Sequence, residues 1–252
     1  MEKEFLNQVV LVTGGAGGIG STTCMDFALR GAKVAVVDFN EDLGHQVINE
    51  IKEAGGEATF FQVDVTNYEM VKKCVQDVVK HYGTIDILIN VAGGSARANR
   101  APFYNQTAEV FKNVMDINLN GTFYFCKECA LVMIEKGKGK IINTSSVVGL
   151  NGHTMHSEYA ASKGATISLT KAMAKDIGKY GITVNCVSPG MIPTKNATNG
   201  NLNHTNFLNT TPDTGDISNA YMFLASDKSK FITGFNLVVD GGRSLGTKGT
   251  DN

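Results

Sequence analysis

The sequence predicts a doubly wound α/β fold, a mostly parallel seven-stranded sheet with helices on both faces. Three observations lead there. Short apolar runs alternate with helical stretches along most of the 252 residues, the pattern of strands covered on both faces by crossover helices. A glycine-rich turn joins the first run to the first helix. Polar residues end successive runs at Gly14, Asp38, Asp64 and Asn90, which gathers them along the sheet edge where open α/β sheets bind ligands.

The first run, Val9-Val-Leu-Val12, is apolar throughout, as a buried parallel strand requires, and Thr13-Gly14 breaks it. Glycines recur at Gly15, Gly17, Gly18 and Gly20, and Ile19, Thr23 and Phe27 then fall four apart, as on one helix face. Lys33 to Asp38 reads as the second strand, and a helix from Glu41 to Ala54 ends at Gly55-Gly56. Ala58 to Val63 is a third strand, Asn67 to Tyr82 a helix stopped by Gly83, and Ile85 to Asn90 a fourth strand. Thr107 to Lys136 holds two helical segments with Asn118 near their junction. Lys140 to Thr144 is a fifth strand that runs into Ser145-Ser146, followed by a glycine-containing loop, a helix from Glu158 to Lys179 and the strand Thr183 to Ser188. Pro189-Gly190 opens a stretch crowded with Asn and Thr, Met191 to Asp213, which reads as a mobile surface loop or lid. A helix near Ile217 to Ala225, a strand Phe235 to Val239 and a polar tail complete a single domain over residues 1–252.

Composition narrows the partners. Net charge is −1, and no run of Lys or Arg stands out, which argues against nucleic acid and anionic membrane. No apolar stretch approaches the roughly 18 residues of a membrane span, and Met1-Glu-Lys-Glu4 leads straight into the first strand, so a cytoplasmic location is expected. Five cysteines, an odd number, fit a reducing compartment. Cys126-x-x-Cys129 has no second pair at ligand spacing, so both are expected in helix core and no metal is expected.

A strand, glycine turn and helix in that order make a phosphate cradle. Absent side chains let backbone amides approach a pyrophosphate, and the helix N-terminus supplies positive potential. Asp38 stands eighteen residues after Gly20, at the end of the second strand. An acid there accepts bonds from ribose hydroxyls and repels a 2′-phosphate, which favours NAD over NADP. Tyr159 and Lys163 lie four apart on a predicted helix and share a face, and Ser146 lies at the strand edge where a nucleotide would bind. Bringing a tyrosine from about 10 to near 7 takes roughly 4 kcal/mol of differential stabilisation, within reach of a lysine ammonium and an oxidised nicotinamide together.

With these residues in place, the chain resembles the short-chain dehydrogenase/reductase family from about Gln8 to Gly242. The family's motifs stand as Thr13-Gly-Gly-Ala-Gly-Gly-Ile-Gly20, Asn90-Val-Ala-Gly93, Asn118, Ser146, Tyr159-Ala-Ala-Ser-Lys163 and Pro189-Gly190. The resemblance implies a Rossmann-type domain and NAD-dependent interconversion of a secondary alcohol and a ketone. By it, Tyr159 is the acid/base, Ser146 holds the substrate oxygen, and Lys163 binds the nicotinamide ribose and lowers the tyrosine pKa. Asn118 anchors a water in a proton relay. Ser145 is the rival serine, but Ser146 has the family spacing of thirteen before the tyrosine. The implied cofactor contacts are Gly14, Gly17, Gly18, Ile19, Gly20 and Asp38, then Asp64 and Val65 at the adenine. Asn90, Ala92 and Gly93 follow on the adenosine side, and Pro189, Gly190, Ile192 and Thr194 towards the carboxamide.

The pocket walls the family uses here carry Ser95, Arg97, Asn99 and Arg100, then Asn151, His153, Met155 and His156. This inventory points to a polar or anionic substrate such as a sugar acid, polyol or hydroxy acid. A hydroxysteroid is the alternative, because Met155, Met191 and Phe207 could line an apolar slot. A non-catalytic NAD-binding regulator is the alternative of another class, though Ser146, Tyr159 and Lys163 are intact. Relatives commonly form homotetramers through the helices here spanning Asn118 to Lys136 and Glu158 to Lys179. Two departures stand out: Val91 replaces a frequent asparagine, and Pro212-Asp-Thr-Gly-Asp is shorter than the family's usual segment.

Overall fold

The computed structural model describes residues 3–193 and 202–246. Its strands are β1 (Val9–Thr13), β2 (Lys33–Asp38), β3 (Glu57–Gln62), β4 (Ile87–Asn90), β5 (Gly139–Thr144), β6 (Ile182–Pro189) and β7 (Asn236–Val239). They form one sheet in the order β3-β2-β1-β4-β5-β6-β7, and every neighbouring pair is parallel. The order reverses between β1 and β4, so the strand ends open a crevice there.

Eight helices cover the two faces among the described residues: α1 (Gly18–Leu29), α2 (Glu41–Glu53), α3 (Tyr68–Tyr82), α4 (Ala108–Met115), α5 (Gly121–Lys136), α6 (Val147–Asn151), α7 (Ser157–Ile177) and α8 (Thr214–Ala225). Strand alternation divides the core. Val10 and Val12 point to a layer with Phe27, Ile51 and Tyr221, under α1, α2 and α8. Val9 and Leu11 point to the other, with Val75, Phe125 and Met133, under α3 and α5. Both faces of β1 are thereby buried, which is why its sequence shows no polar alternation.

Local chemistry sets the helix boundaries. The side chains of Asn40, Asn67 and Thr107 accept the backbone N–H of Leu43, Met70 and Val110, capping α2, α3 and α4. Gly83 ends α3 in the left-handed conformation. α4 and α5 do not meet at a break: a π-helical turn, Asp116–Asn120, joins them and carries Asn118 inward.

Three expected features differ. The loop after Ser146 contains the short helix α6, for which Ser146 is the N-cap, its hydroxyl accepting the Val148 amide at 3.1 Å. α8 begins earlier than expected, at Thr214, because Asp213 and Asp216 form a reciprocal capping box. The Met191–Asp213 stretch is anchored in its described part: Leu202 and Asn206 are buried, and Asn206 donates to the Thr210 carbonyl at 2.7 Å. Its Asn side chains satisfy turn carbonyls that would otherwise need water. Residues 194–201 of that stretch lie outside the described residues.

Candidate active site

The glycine turn is shaped by close approach. Gly14 is in the left-handed region, and a Cβ on Gly20 would lie 2.0 Å from the Gly14 carbonyl oxygen. The turn packs into itself, and only glycine permits it. Gly17 caps α1 with no side-chain acceptor, so no side chain occupies the first-turn amides. Asp38 folds back over this turn, its carboxylate accepting the Ala16 amide at 3.0 Å and the Asn40 amide at 3.1 Å.

Between the turn and α4 runs a groove of about 960 Å³. Gly14, Gly17, Gly18, Ile19, Gly20, Asp38, Asp64, Val65, Ala92, Gly93 and Ser95 line it, all residues singled out from sequence. Phe39, Thr66, Asn113 and Ile117 line it too, and sequence reading missed them. Asn113 and Ile117 lie four apart on one helical face, the one signal that could have marked them. Phe39, 74% exposed, sits beside the acid as an uncovered ring.

Asn90 is set apart from the other expected cofactor residues. Its side chain points into the sheet interior, donating to Asn143 Oδ1 at 2.9 Å and to Cys126 Sγ at 3.2 Å, so it does not face the groove. It braces the end of β4 from within. Val91, the departure from the family pattern, packs against the core and lines the groove. Pro189 ends β6, and the Gly190 amide donates to the Val239 carbonyl at 2.9 Å. Ile192 packs on the core. Thr194 lies outside the described residues.

At Gly93 the groove meets the reactive side chains. A Cβ there would lie 2.8 Å from Asn118 Oδ1 and 3.1 Å from Lys163 Nζ. Asn118 is buried; its oxygen accepts the Gly94 amide at 2.9 Å, and its nitrogen donates to the Gly94 carbonyl at 3.0 Å and to Ser162 Oγ at 2.9 Å. Lys163 Nζ donates to the Thr144 carbonyl at 2.8 Å and lies 5.8 Å from the Tyr159 ring centroid. The two candidate serines separate cleanly. Ser145 Oγ donates to the Lys163 carbonyl at 2.7 Å and is committed to the interior, whereas Ser146 hydrogen-bonds Tyr159.

Burial acts oppositely on the pair. It holds the Tyr159 hydroxyl above its ordinary value, opposed by the Ser146 bond and the Arg97 charge, and pushes Lys163 down to about 8. In the chain alone, Ser146 and Arg97 are the groups that oppose the rise that burial causes at Tyr159.

Of the expected substrate residues, Arg97 and His153 are exposed in loops flanking Tyr159. Asn151 is exposed and reaches the Ser244 carbonyl at 3.4 Å. Cys126 and Cys129 are both buried in α5, with thiols pushed up by burial. Among the described residues no cluster of three or more His, Cys, Asp or Glu could hold a metal ion, and no helix is long and apolar enough to cross a membrane.

A glycine-turn groove that ends beside Ser146, Tyr159 and Lys163 defines a class of oxidoreductase, and comparison with known proteins agrees. A family model described as enoyl-(acyl carrier protein) reductase matches residues 14–244. The chain belongs to the short-chain dehydrogenase/reductase family, oxidoreductases of CH–OH groups that use NAD(P) nucleotides. It is 38% identical over 250 residues to secoisolariciresinol dehydrogenase of Forsythia intermedia, covering 94% of this chain and 89% of that one. Among solved structures, a short-chain type dehydrogenase/reductase from Mycobacterium ulcerans superposes with a TM-score of 0.92 at 29% identity, covering 97% of this chain and 92% of that one. An NAD⁺-bound xylitol dehydrogenase superposes with a TM-score of 0.89 at 31% identity, covering 95% and 100%.

Proposed function

We propose that this protein is an NAD-dependent dehydrogenase that interconverts a secondary alcohol and a ketone on a polar small molecule, with Tyr159 as general acid/base. The observation that carries the reading is the convergence of Ser146, Tyr159, Lys163 and Asn118 where the groove ends at Gly93. The groove fits the nucleotide: the glycine turn leaves room for a pyrophosphate, and Asp38 stands at the ribose end as a carboxylate acceptor, with no Arg or Lys in the turn to receive a 2′-phosphate. The structural likeness to an NAD⁺-bound enzyme points the same way.

NAD bound there would supply the hydride acceptor for oxidation, and its reduced form the donor for the reverse. Ser146 orients the substrate oxygen towards Tyr159. In oxidation the tyrosinate removes the hydroxyl proton; in reduction the protonated tyrosine returns one to the carbonyl oxygen. Lys163, fixed by the Thr144 carbonyl, holds positive charge near the ring and stabilises the tyrosinate. Asn118 keeps Gly93-Gly94 in place beside Lys163, and is the residue assigned to the proton relay.

A second reading, a hydroxysteroid substrate, has one observation in its favour. Met191, Leu202 and Phe207 help line a cavity of about 610 Å³ under the 202–207 segment. The experiment is NADH formation at 340 nm with NAD or NADP across sugar acids, polyols, hydroxy acids and hydroxysteroids. Turnover with NAD on a polar class is the expected result; turnover only with NADP, or only on steroids, would overturn the cofactor or the substrate part.

A further inference from the structure

The loops beside Tyr159 hold positive charge that the fold does not neutralise. Arg97 lies in a 3₁₀ turn, Arg97–Asn99, with Arg100 just after it, and both are exposed. Among the described residues neither arginine is in an ion pair. Across from them stands His156, buried, its ring 5.1 Å from His153 and 6.5 Å from Tyr159. The charges of both arginines act on His156, and that of Arg97 also acts on Tyr159.

The arginine turn is tied to the tyrosine helix. Gln106 Nε2 donates to the Asn99 carbonyl at 3.2 Å and reaches Glu158 Oε2 at 3.5 Å, and Glu158 immediately precedes Tyr159. Two buried polar atoms at this junction have no hydrogen-bond partner, His156 Nδ1 and Glu158 Oε1, which face each other at 4.0 Å. Among the described residues, Glu158 is the carboxylate that faces His156. It lies wholly buried behind His156 and leaves both guanidinium groups unpaired on the solvent side.

Resting on the reading of Tyr159 as acid/base, we propose that the substrate is a hydroxy or keto acid whose carboxylate is received by Arg97 and Arg100, with His156 completing the contact. A guanidinium presents paired N–H donors that match a carboxylate, and such charge-assisted bonds are among the stronger ones. Arg97 and Arg100 are thus specificity-determining residues.

The probes are short 2- and 3-hydroxy acids and sugar acids, each paired with its neutral amide, and simple neutral alcohols, all assayed with NAD. The wild type should prefer an acid over its amide in kcat/KM by at least about tenfold, the scale of one charge-assisted bond. Arg97→Gln and Arg100→Gln should each raise KM for the acid about tenfold more than KM for its amide, with NADH affinity little changed. Equal use of acid and amide, or arginine variants that lower both alike, would overturn the proposal. So would silence of every acid, whatever the neutral alcohols do. A neutral alcohol oxidised while all acids are silent sinks the carboxylate site alone; silence of acids and alcohols together, with NADH bound, sinks the dehydrogenase reading as well.

Discussion

Burial pulls Tyr159 and Lys163 in opposite directions, because a buried site disfavours whichever form is charged. Lys163, at about 8, carries a charge that folding has stripped of water. The unfolded chain holds its proton up to about 10.4, so between pH 8 and that value the unfolded state binds more protons. Stability from this group therefore rises with pH across the window. Urea unfolding of the wild type and Lys163→Met at pH 7.5 and 9.5 checks this. The wild type should gain about 1–2 kcal/mol relative to the variant on going to the higher pH; an unchanged difference would mean that Lys163 is not desolvated. At this scale much was legible in the sequence. The Tyr159–Lys163 spacing and the place of Ser146 follow from chain positions, whereas Gln106 and Glu158 carried no signal. Their partners are far away in sequence or arise only on packing, and only coordinates bring Asn99, Gln106 and Glu158 together.

Elements were readable where periodicity was strong and less so where single side chains set a boundary. α2 and α3 bury Val47, Ile48 and Ile51, and Val71, Cys74, Val75 and Val78, one face of each helix. α6 escaped because five residues make little more than one turn, too short for an apolar repeat to show, and the start of α8 because an Asp-x-x-Asp box is an unusual cap. Val9–Thr13 as a strand and the glycine turn from Gly14 to Gly17 ahead of α1 were legible together, since an all-apolar run followed by glycines has few other readings. The turn also makes a prediction. Gly20→Ala sets a Cβ against the Gly14 carbonyl, so the loop must move and its amides lose their aim. NADH affinity, read by fluorescence, should fall at least about tenfold, the scale of one lost charge-assisted bond, with the circular dichroism spectrum unchanged. Retained affinity would place the nucleotide elsewhere.

The whole molecule presents a face the single chain does not cover. Phe111, Phe123 and Leu131, on α4 and α5, are each at least 41% exposed. Exposed apolar surface in contiguous patches marks association sites, and we propose that this face helps build the expected homotetramer. Sedimentation velocity should show a species well above the 26.9 kDa chain; a monomer alone at micromolar concentration would remove that proposal. The parallel sheet was foreseen as mostly parallel and is parallel throughout, because each strand returns through a helix on one face or the other.

The central claim is that Tyr159 moves the proton while the groove holds NAD. It is tested most directly by NADH formation at 340 nm in wild type and Tyr159→Phe, on whichever alcohol the wild type oxidises, with NADH affinity measured beside it. The phenylalanine keeps the ring and removes only the hydroxyl. The expected result is a fall in kcat of about 10²-fold or more, the range of general acid/base catalysis, with NADH affinity within about threefold of wild type. A variant that turns over as fast as the wild type while binding NADH equally well would contradict it.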